Sequence, residues 1–277
     1  MILPKSYKNT KTPVTTFCWL SCKRDFNCLK MSVESAMLVM GTHGRYFVVE
    51  DEQNPFSAAQ LSQLTDLGCE FLPNLKHKYV WGLTAMHRLV AVYKALLNIT
   101  GTAYITKIDS DVIMFDNKFE NVLARNIHPF VGTYASFGVW GQFQHHRADT
   151  INWLASLTAE EFSKRCKKYA NRPEAIVDDE TIPRVIASKF IPDFDLSKWS
   201  HPGNLYPFCL QMPDVPIGFF GMYHPANQAD KPTNYIGYVD CVEFGRRAEY
   251  TCSAENVVKQ IEIDMRCALN AVKSELH

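Results

Sequence analysis

Residues 103–115, AYITKIDSDVIMF, constrain the fold of this chain more than any other stretch of its sequence. The first half of the run is rich in β-branched and aromatic residues, which favours a strand. Asp109, Ser110 and Asp111 then interrupt the run, and four apolar residues follow them. This pattern predicts a buried strand that ends in an acidic turn.

Asp109 and Asp111 place two carboxylates close together beside buried apolar residues. Such a pair repels itself and loses hydration, so we expect a positive charge to compensate it. A divalent cation is the simplest candidate, because Mg²⁺ and Mn²⁺ prefer oxygen ligands and are commonly held by carboxylates together with substrate phosphates. A surface turn with two solvated acids is the alternative.

Strand-like and helix-like patterns alternate before this acidic strand. In order along the chain they are 14–20 (strand), 29–40 (helix), 45–49 (strand), 57–67 (helix), 69–73 (strand) and 81–99 (helix). The last helix is the clearest, because its apolar positions form a broad face. A β-α-β-α-β order predicts an α/β fold with a mainly parallel sheet, whose ligands bind at the carboxyl ends of the strands.

The composition is that of an ordinary folded protein, with 47% hydrophobic residues and 29 basic against 29 acidic side chains. The balanced charge gives no sign of bulk attraction to nucleic acid or to an acidic membrane. No secretion leader and no apolar run of about 18 residues occurs, so we expect a soluble cytoplasmic protein, bacterial or in the host cytoplasm if viral. The nine cysteines contain no CxxC pair, which favours free thiols.

The run KIDSDV, residues 107–112, resembles the DxD segment of nucleotide-sugar-dependent glycosyltransferases of the GT-A fold, particularly those in which a lysine precedes the acids. The resemblance implies that Asp109 and Asp111 hold Mn²⁺ or Mg²⁺. In that family the cation bridges the diphosphate of a nucleoside diphosphate sugar. Asp111 would then be the more direct ligand.

The same resemblance implies roles for residues at other strand ends. Ser21 and Arg24, in the segment after the first strand, would contact the nucleotide base and ribose, and Asp51 after the second strand would hydrogen-bond the base. His87 and Arg88, on the helix over 81–99, would face the nucleotide. For these last two residues an ordinary solvated helix face is the alternative.

Asp178, Asp179 and Glu180 form an acidic triplet after an apolar run and before a helical pattern. One explanation is the helix macrodipole, which stabilises anions at a helix N-terminus. The resemblance implies another, because the triplet is similar to the acidic motif that supplies the general base in inverting GT-A enzymes. Asp179 is the residue we favour for that role.

Two later segments complete the set of candidates. His224 and Lys231 are similar to a third metal ligand and a lysine that approaches the diphosphate, although the glycine usually found between them is missing. His201 is the competing ligand. A Gly/aromatic run over 136–146 is expected to be a loop whose aromatic faces suit a sugar or a base, with core packing as the alternative.

We expect the 277 residues to form a single GT-A-like domain. Its nucleotide-sugar-binding half would cover about 12–115 and its acceptor-binding half about 116–253. A C-terminal helix is predicted over 254–277.

The sequence therefore predicts a metal-dependent hexosyl- or pentosyltransferase that moves a sugar from a nucleoside diphosphate sugar to a hydroxyl acceptor, with inversion. A glycan is the expected acceptor, and a modified DNA base is the alternative.

DSDVI also fits the DxDxV motif of haloacid-dehalogenase-like phosphatases, in which Asp109 would be the nucleophile. That family normally places its nucleophile on the first strand of the domain. Two further classes have a related fold, a nucleotidyltransferase and a non-catalytic nucleotide-sugar-binding module.

Overall fold

A computed structural model describes residues 14–72, 75–76, 83–115, 117, 120–124, 128–135, 138–169, 181–190, 194, 217–219, 233–239, 247–252 and 254–276. The strands are β1 (Thr15–Ser21), β2 (Gly44–Glu50), β3 (Glu70–Phe71), β4 (Tyr104–Ile108), β5 (Val112–Met114), β6 (Phe130–Ala135), β7 (Gly138–Arg147), β8 (Ile217–Phe219), β9 (Thr233–Val239) and β10 (Arg247–Cys252). The helices are α1 (Phe26–Met40), α2 (Ala58–Leu67), α3 (Leu83–Thr100), α4 (Glu120–Ala124), α5 (Ala148–Ser156), α6 (Ala159–Tyr169), α7 (Thr181–Phe190) and α8 (Ala254–Glu275).

A six-stranded sheet in the order β3-β2-β1-β4-β7-β6 forms the centre of the fold. The first four strands of that order run parallel, whereas β7 is antiparallel to β4 and β6 is antiparallel to β7. Helices flank this sheet. The α/β class and the mainly parallel sheet expected from the sequence are therefore confirmed.

The sheet is covered on both faces, as the residues of β1 illustrate. Phe17 and Trp19 pack with Leu29 of α1 in one core cluster, whereas Cys18 packs with Tyr93 of α3 in the other. Successive side chains of a strand point to opposite faces, so β1 has no solvated face. Because both faces are closed, the strand ends are the part of the sheet that a ligand can approach.

Local sequence signals set the bounds of α2. Ser57 accepts a hydrogen bond from the Gln60 amide, and the Gln60 side chain accepts one from the Ser57 amide, which completes a capping box. The helix ends at Gly68, whose φ of 103° lies in the left-handed region that favours glycine. Helix α2 therefore begins and ends where the sequence predicted.

The chain leaves the six-stranded sheet at the acidic turn. After the turn, β5 pairs with β8 in a second, antiparallel sheet of order β10-β9-β8-β5. Ile113 of β5 packs with Met31 of α1 and with Ile261 and Met265 of α8. Helix α8 confirms the predicted C-terminal helix, and none of the described helices is long and apolar enough to cross a membrane.

The Gly/aromatic run is not the loop that the sequence predicted. It contains most of β7, which pairs with β4 so that Gln144 lies opposite Lys107. Burial and the charge of His146 lower the pKa of His145 to about 3, so this imidazole is uncharged at neutral pH. Four consecutive side chains in the second half of β7 are fully buried: Phe143, Gln144, His145 and His146.

The prediction of a sugar-binding surface is therefore wrong for residues 143–146, which fill the core. The sequence predicted a loop here because glycines within the run weaken a strand when only neighbouring residues are considered. Antiparallel pairing with the already buried β4 outweighs that local preference, because it satisfies the backbone of β7 and buries its side chains.

Candidate active site at the carboxyl edge of the sheet

The ends of β1, β2 and β4 lie side by side at the carboxyl edge of the main sheet. The Asp51 amide donates a hydrogen bond to the Ser21 carbonyl at 2.9 Å, which joins the ends of β2 and β1. The Ser110 hydroxyl donates to the Ser21 hydroxyl at 2.8 Å, which joins the ends of β4 and β1. The structure thus brings Ser21, Asp51, Asp109 and Asp111 to one edge.

Neutral hydrogen bonds fix the backbone of the acidic turn. The Val112 amide donates to the Asp109 carbonyl at 3.3 Å and closes the turn. The Ser32 hydroxyl of α1 donates to the same carbonyl at 3.3 Å, and the Met114 amide donates to the Ser35 hydroxyl of α1 at 3.0 Å. Helix α1 therefore holds the chain on both sides of the acids.

A buried lysine accompanies the first acid of the turn. Lys107 Nζ lies 2.6 Å from Asp109 Oδ1; the lysine side chain is 5% exposed and that of the aspartate 30%. The protein itself thus supplies part of the positive charge that the sequence led us to expect. The ammonium group of Lys107 thus offsets the charge of one of the two carboxylates in the turn.

The second acid lies close to α1. Asp111 is buried, and burial followed by the charge of Asp111 raises the pKa of the Cys28 thiol in α1. The two carboxylates therefore have different surroundings: Asp109 is paired with Lys107 and partly exposed, whereas Asp111 is enclosed beside α1.

The donor chemistry of this turn fits a hard divalent cation. Asp109 and Asp111 offer carboxylate oxygens in a fixed turn, and Mg²⁺ is usually bound by one or two carboxylates together with water and phosphate oxygens. Within the described ranges, no three or more His, Cys, Asp or Glu side chains are grouped as a metal site. A cation here would take its other ligands from water, a diphosphate or the remaining part of the chain.

Asp51 has a role in its own loop. It is 1% exposed, and its Oδ1 accepts hydrogen bonds from the amides of Gln53 at 2.8 Å and Asn54 at 2.9 Å. One carboxylate oxygen thus closes the turn after β2. The proposed contact between Asp51 and a nucleotide base stays a prediction.

Arg24 is paired within the segment that follows β1. Its Nε lies 2.7 Å from Asp25 Oδ1 and its Nη2 3.2 Å from Asp25 Oδ2, a two-pronged ion pair. Its side chain is partly exposed, whereas that of Asp25 is buried. The expected contact of Arg24 with a ribose stays a prediction, and such a contact would have to accommodate the Asp25 carboxylate.

His87 and Arg88 have different surroundings, although both are exposed on α3. Arg88 Nη1 lies 3.1 Å from Glu52 Oε1, so it reaches the loop after β2 at the carboxyl edge. The His87 ring instead packs edge-on against Phe162 of α6, with ring centroids 5.5 Å apart. The structure therefore places Arg88, but not His87, against an element of the candidate site.

Several predicted site residues lie outside the described part of the chain: Asp178, Asp179, Glu180, His201, His224 and Lys231. The helix expected after the acidic triplet is present as α7, which begins at Thr181 and is buried over Thr181 to Ala187. Both interpretations of the triplet, helix capping and general base, stay predictions.

Sequence reasoning missed the hydroxyls that hold the turn. Ser32 and Ser35 lie three residues apart among the apolar residues of α1, and both are fully buried. That spacing places both hydroxyls on one side of the helix. Buried hydroxyls need hydrogen-bond partners, so a pair of serines on the inner face of α1 was a signal that something polar packs there.

Comparisons with known proteins give only a loose likeness. No family model matches the chain, and a search of curated proteins found no match. Similar solved structures include the galactosyltransferase LgtC in complex with donor and acceptor sugar analogues, at 10% identity and a TM-score of 0.43, covering 62% of this chain and 70% of LgtC. Another is the glycosyltransferase GlyE of Streptococcus pneumoniae TIGR4, at 12% identity and a TM-score of 0.46, covering 95% of this chain and 64% of GlyE.

Proposed function

We propose that this chain is a metal-dependent glycosyltransferase that moves a sugar from a nucleoside diphosphate sugar to a hydroxyl acceptor. The observation that carries the proposal is the acidic turn at the carboxyl edge of a mostly parallel sheet. Asp109 and Asp111 stand there on a backbone that is fixed by β1 and α1. Ligands of open α/β sheets bind at this edge, and paired carboxylates suit the cation that accompanies a diphosphate.

The residues of the turn have separate tasks in this mechanism. Asp109 and Asp111 would hold Mn²⁺ or Mg²⁺, which when bound stabilises the charge of the departing diphosphate. Lys107, buried beside Asp109, orients that carboxylate and reduces the repulsion between the two acids. Lys231 would add positive charge near the diphosphate.

The acceptor side of the mechanism needs a base. Asp179 would remove the proton from the acceptor hydroxyl as its oxygen attacks the anomeric carbon of the donor. Attack from the side opposite the leaving diphosphate inverts the anomeric centre. Asp178 and Glu180 are the substitutes for this role, and a glycan is the acceptor class that we propose.

The order of strands disfavours the phosphatase alternative, because that family normally places its nucleophile on the first strand of the domain. Asp109 follows β4, and β1, β2 and β3 with their helices precede it in the chain. The nucleotidyltransferase alternative expects a glycine-rich phosphate loop after β1. The segment after Ser21 instead forms a short 3-10 turn over Lys23–Asp25, without glycine.

Isothermal titration with a panel of nucleoside diphosphates, with and without Mn²⁺, tests the proposal. A glycosyltransferase should bind one nucleoside diphosphate in preference to the others, and only with the cation. Absence of Mn²⁺-dependent binding for every member of the panel would contradict the proposal.

Mass spectrometry of nucleotide-sugar hydrolysis then separates an enzyme from a binding module. The enzyme should slowly hydrolyse the donor that carries the preferred nucleotide, whereas a binding module leaves every donor intact. The phosphatase alternative predicts a third result, a covalent adduct of Asp109 with a phosphate mimic such as beryllium fluoride.

A further inference from the structure

Two fully buried hydroxyls on α1 contact the acidic turn, and their hydrogen-bond directions are determined. Ser32 accepts a hydrogen bond from Trp19 Nε1 at 2.9 Å. An indole N–H can only donate, so the hydroxyl hydrogen of Ser32 is directed to its other partner, the Asp109 carbonyl. The chain of donors therefore runs from Trp19 through Ser32 to the turn.

The indole that begins this chain is itself held in place. Trp19 is fully buried and stacks with Phe17 and Tyr46, at ring-centroid distances of 5.9 and 6.5 Å. Close packing of this kind restricts the ring to one orientation. The Ser32 hydroxyl thus has a fixed reference in the core of the sheet.

Ser35 provides a second point of attachment. It accepts from the Met114 amide at 3.0 Å and donates to the Ser32 carbonyl at 2.7 Å. Together the two serines connect α1 to the chain at Asp109 and at a position three residues beyond Asp111. The segment that carries both carboxylates is therefore held at its two ends.

We propose that Ser32, oriented by Trp19, is a positioning residue of the cation site. It holds the Asp109 carbonyl and thereby fixes where the carboxylates of Asp109 and Asp111 stand. This inference rests on the proposed function, in which these carboxylates bind a divalent cation. Residues that orient metal ligands typically change metal affinity by about 10- to 100-fold when mutated.

A hydroxyl that merely satisfies the core would give a different result. Mg²⁺ demands nearly ideal octahedral geometry, whereas Ca²⁺ accepts varied geometries and ligand numbers. A displaced carboxylate should therefore weaken Mg²⁺ binding more than Ca²⁺ binding. A general loss of stability should not discriminate between the two cations.

The test measures cation binding to the intact chain without nucleotide. Binding of Mn²⁺ is followed by the EPR signal of the free ion, and Mg²⁺ and Ca²⁺ are measured by competition. We expect Ser32→Ala to bind Mg²⁺ about tenfold or more weakly, with a smaller loss for Ca²⁺. Trp19→Phe, which removes the donor that orients Ser32, should change binding in the same direction.

Thr150→Val is the matched control. Thr150 is fully buried in α5, and its hydroxyl donates to the carbonyls of Arg147 at 2.6 Å and Pro129 at 3.2 Å. This variant also loses a buried hydroxyl, but one that does not contact the acidic turn. Its affinities for the three cations should equal those of the wild type.

The outcomes separate this inference from the proposed function. If Asp111→Asn loses Mn²⁺ binding while Ser32→Ala keeps wild-type affinity for Mg²⁺ and Ca²⁺, the positioning role is overturned and the proposed function stands. Equal losses for both cations in Ser32→Ala and Thr150→Val also overturn it. If the wild type shows no Mn²⁺ binding that depends on Asp111, either alone or with the nucleoside diphosphate preferred in titration, the proposed function fails and the inference with it.

Should Ser32→Ala not fold, Ser32→Cys keeps the volume with a weaker donor and is measured in the same way.

Discussion

Two acidic turns leave the same edge of the sheet, and they are held together in opposite ways. After β2, Asp51 accepts the amides of Gln53 and Asn54, and Glu50 accepts the amide of Phe56 at 2.6 Å. The carboxylates themselves close that loop. Their charge and their oxygens are used for folding.

After β4, hydroxyls of other elements hold the turn. Ser32 binds the Asp109 carbonyl, Ser35 binds the Met114 amide, and Ser21 binds the Ser110 hydroxyl. The carboxylates of the turn take no part in these three contacts. Asp109 also pairs with Lys107, but the backbone of the turn is held by neutral groups. We infer that the backbone stays in place when a carboxylate of this turn binds a ligand.

Asp111→Asn should have the largest effect, because it removes a charge from the turn that neutral groups hold. The amide is nearly isosteric but lacks the charge that a cation needs, so Mn²⁺-dependent binding of nucleoside diphosphate should be lost and turnover should fall about 100-fold or more. The melting temperature should move by less than about 3 °C, because the backbone hydrogen bonds of the turn remain and the amide keeps the shape of the carboxylate. Titration calorimetry and a thermal melt measure the two effects. Unchanged Mn²⁺ dependence would remove the cation from this turn.

Asp179→Asn tests whether the acidic triplet supplies a general base or only caps α7. If Asp179 is the general base, kcat should fall by about 10²- to 10⁴-fold while donor affinity changes by only a few-fold. If the triplet only caps α7, turnover should persist and the loss of stability should stay within about 1 kcal/mol. Steady-state kinetics and a melting curve decide. Full activity of Asp178→Asn, Asp179→Asn and Glu180→Gln alike would exclude the inverting mechanism.

Lys107→Met tests the ion pair between Lys107 and Asp109 in the turn after β4. Removing the ammonium group should lower the free energy of unfolding by about 2–3 kcal/mol, less than for a fully buried pair because Asp109 is 30% exposed and keeps some hydration. Mn²⁺ should raise the melting temperature of this variant more than that of the wild type, because the cation replaces the lost charge. Urea denaturation with and without Mn²⁺ measures both effects, and a cation response equal to that of the wild type would contradict the account.

Glu120 offers a third kind of acid at the opposite edge of the sheet, where its Oε1 lies 3.2 Å from Nδ1 of His43. Burial raises the pKa of Glu120 to about 7, so folding favours its protonated form. Its contribution to stability is therefore fully present below about pH 4.5 and is lost as the pH rises through about 7.

Glu120→Gln should remove this part of the pH dependence. Relative to the wild type, the variant should gain stability between about pH 4.5 and 7 and show a constant difference above that range. Urea denaturation at a series of pH values measures the difference. Mn²⁺ binding should be unchanged, and a parallel stability profile for the two proteins would refute the assignment.

Substitution of Asp51 should have the smallest effect. Asp51 lies in the turn after β2 and is the counterpart of Asp111 in the turn after β4. Asp51→Ala removes an acceptor of two amides and should lower the free energy of unfolding by about 1–2 kcal/mol. Asp51→Asn keeps the acceptor oxygen and should change stability by less than about 1 kcal/mol. Chemical denaturation of both variants measures this. Loss of nucleotide binding in a stable Asp51→Asn protein would instead support a contact between Asp51 and the base.

The parts of the fold that could be predicted are those with local signals. The strand at Tyr104–Ile108, the capped helix after Ser57 and the acidic turn depend on neighbouring residues, and all three are present. The pairing of β7 with β4 and of β5 with a second sheet depends on residues far apart in the chain. No periodicity within one segment carries such information.

The candidate site divides in the same way. Asp109 and Asp111 could be predicted as site residues from the sequence, because charged residues inside an apolar run are unusual. The roles of Ser32 and Trp19 could not be predicted from the sequence, because the hydrogen bond between them joins β1 to α1 and depends on the tertiary fold. The use of Asp51 in its own turn was open to local reasoning, since aspartate commonly accepts amides two and three residues ahead.

Binding of a cation by the acids of the turn after β4 is the claim on which the proposed function depends. A crystal of the chain with Mn²⁺ and the nucleoside diphosphate preferred in titration tests this claim, because the anomalous signal of manganese locates the ion. We predict one peak about 2.1 Å from carboxylate oxygens of Asp111 and Asp109, and next to the diphosphate. A manganese peak that contacts the diphosphate but neither aspartate, or a bound diphosphate without manganese, would contradict the claim.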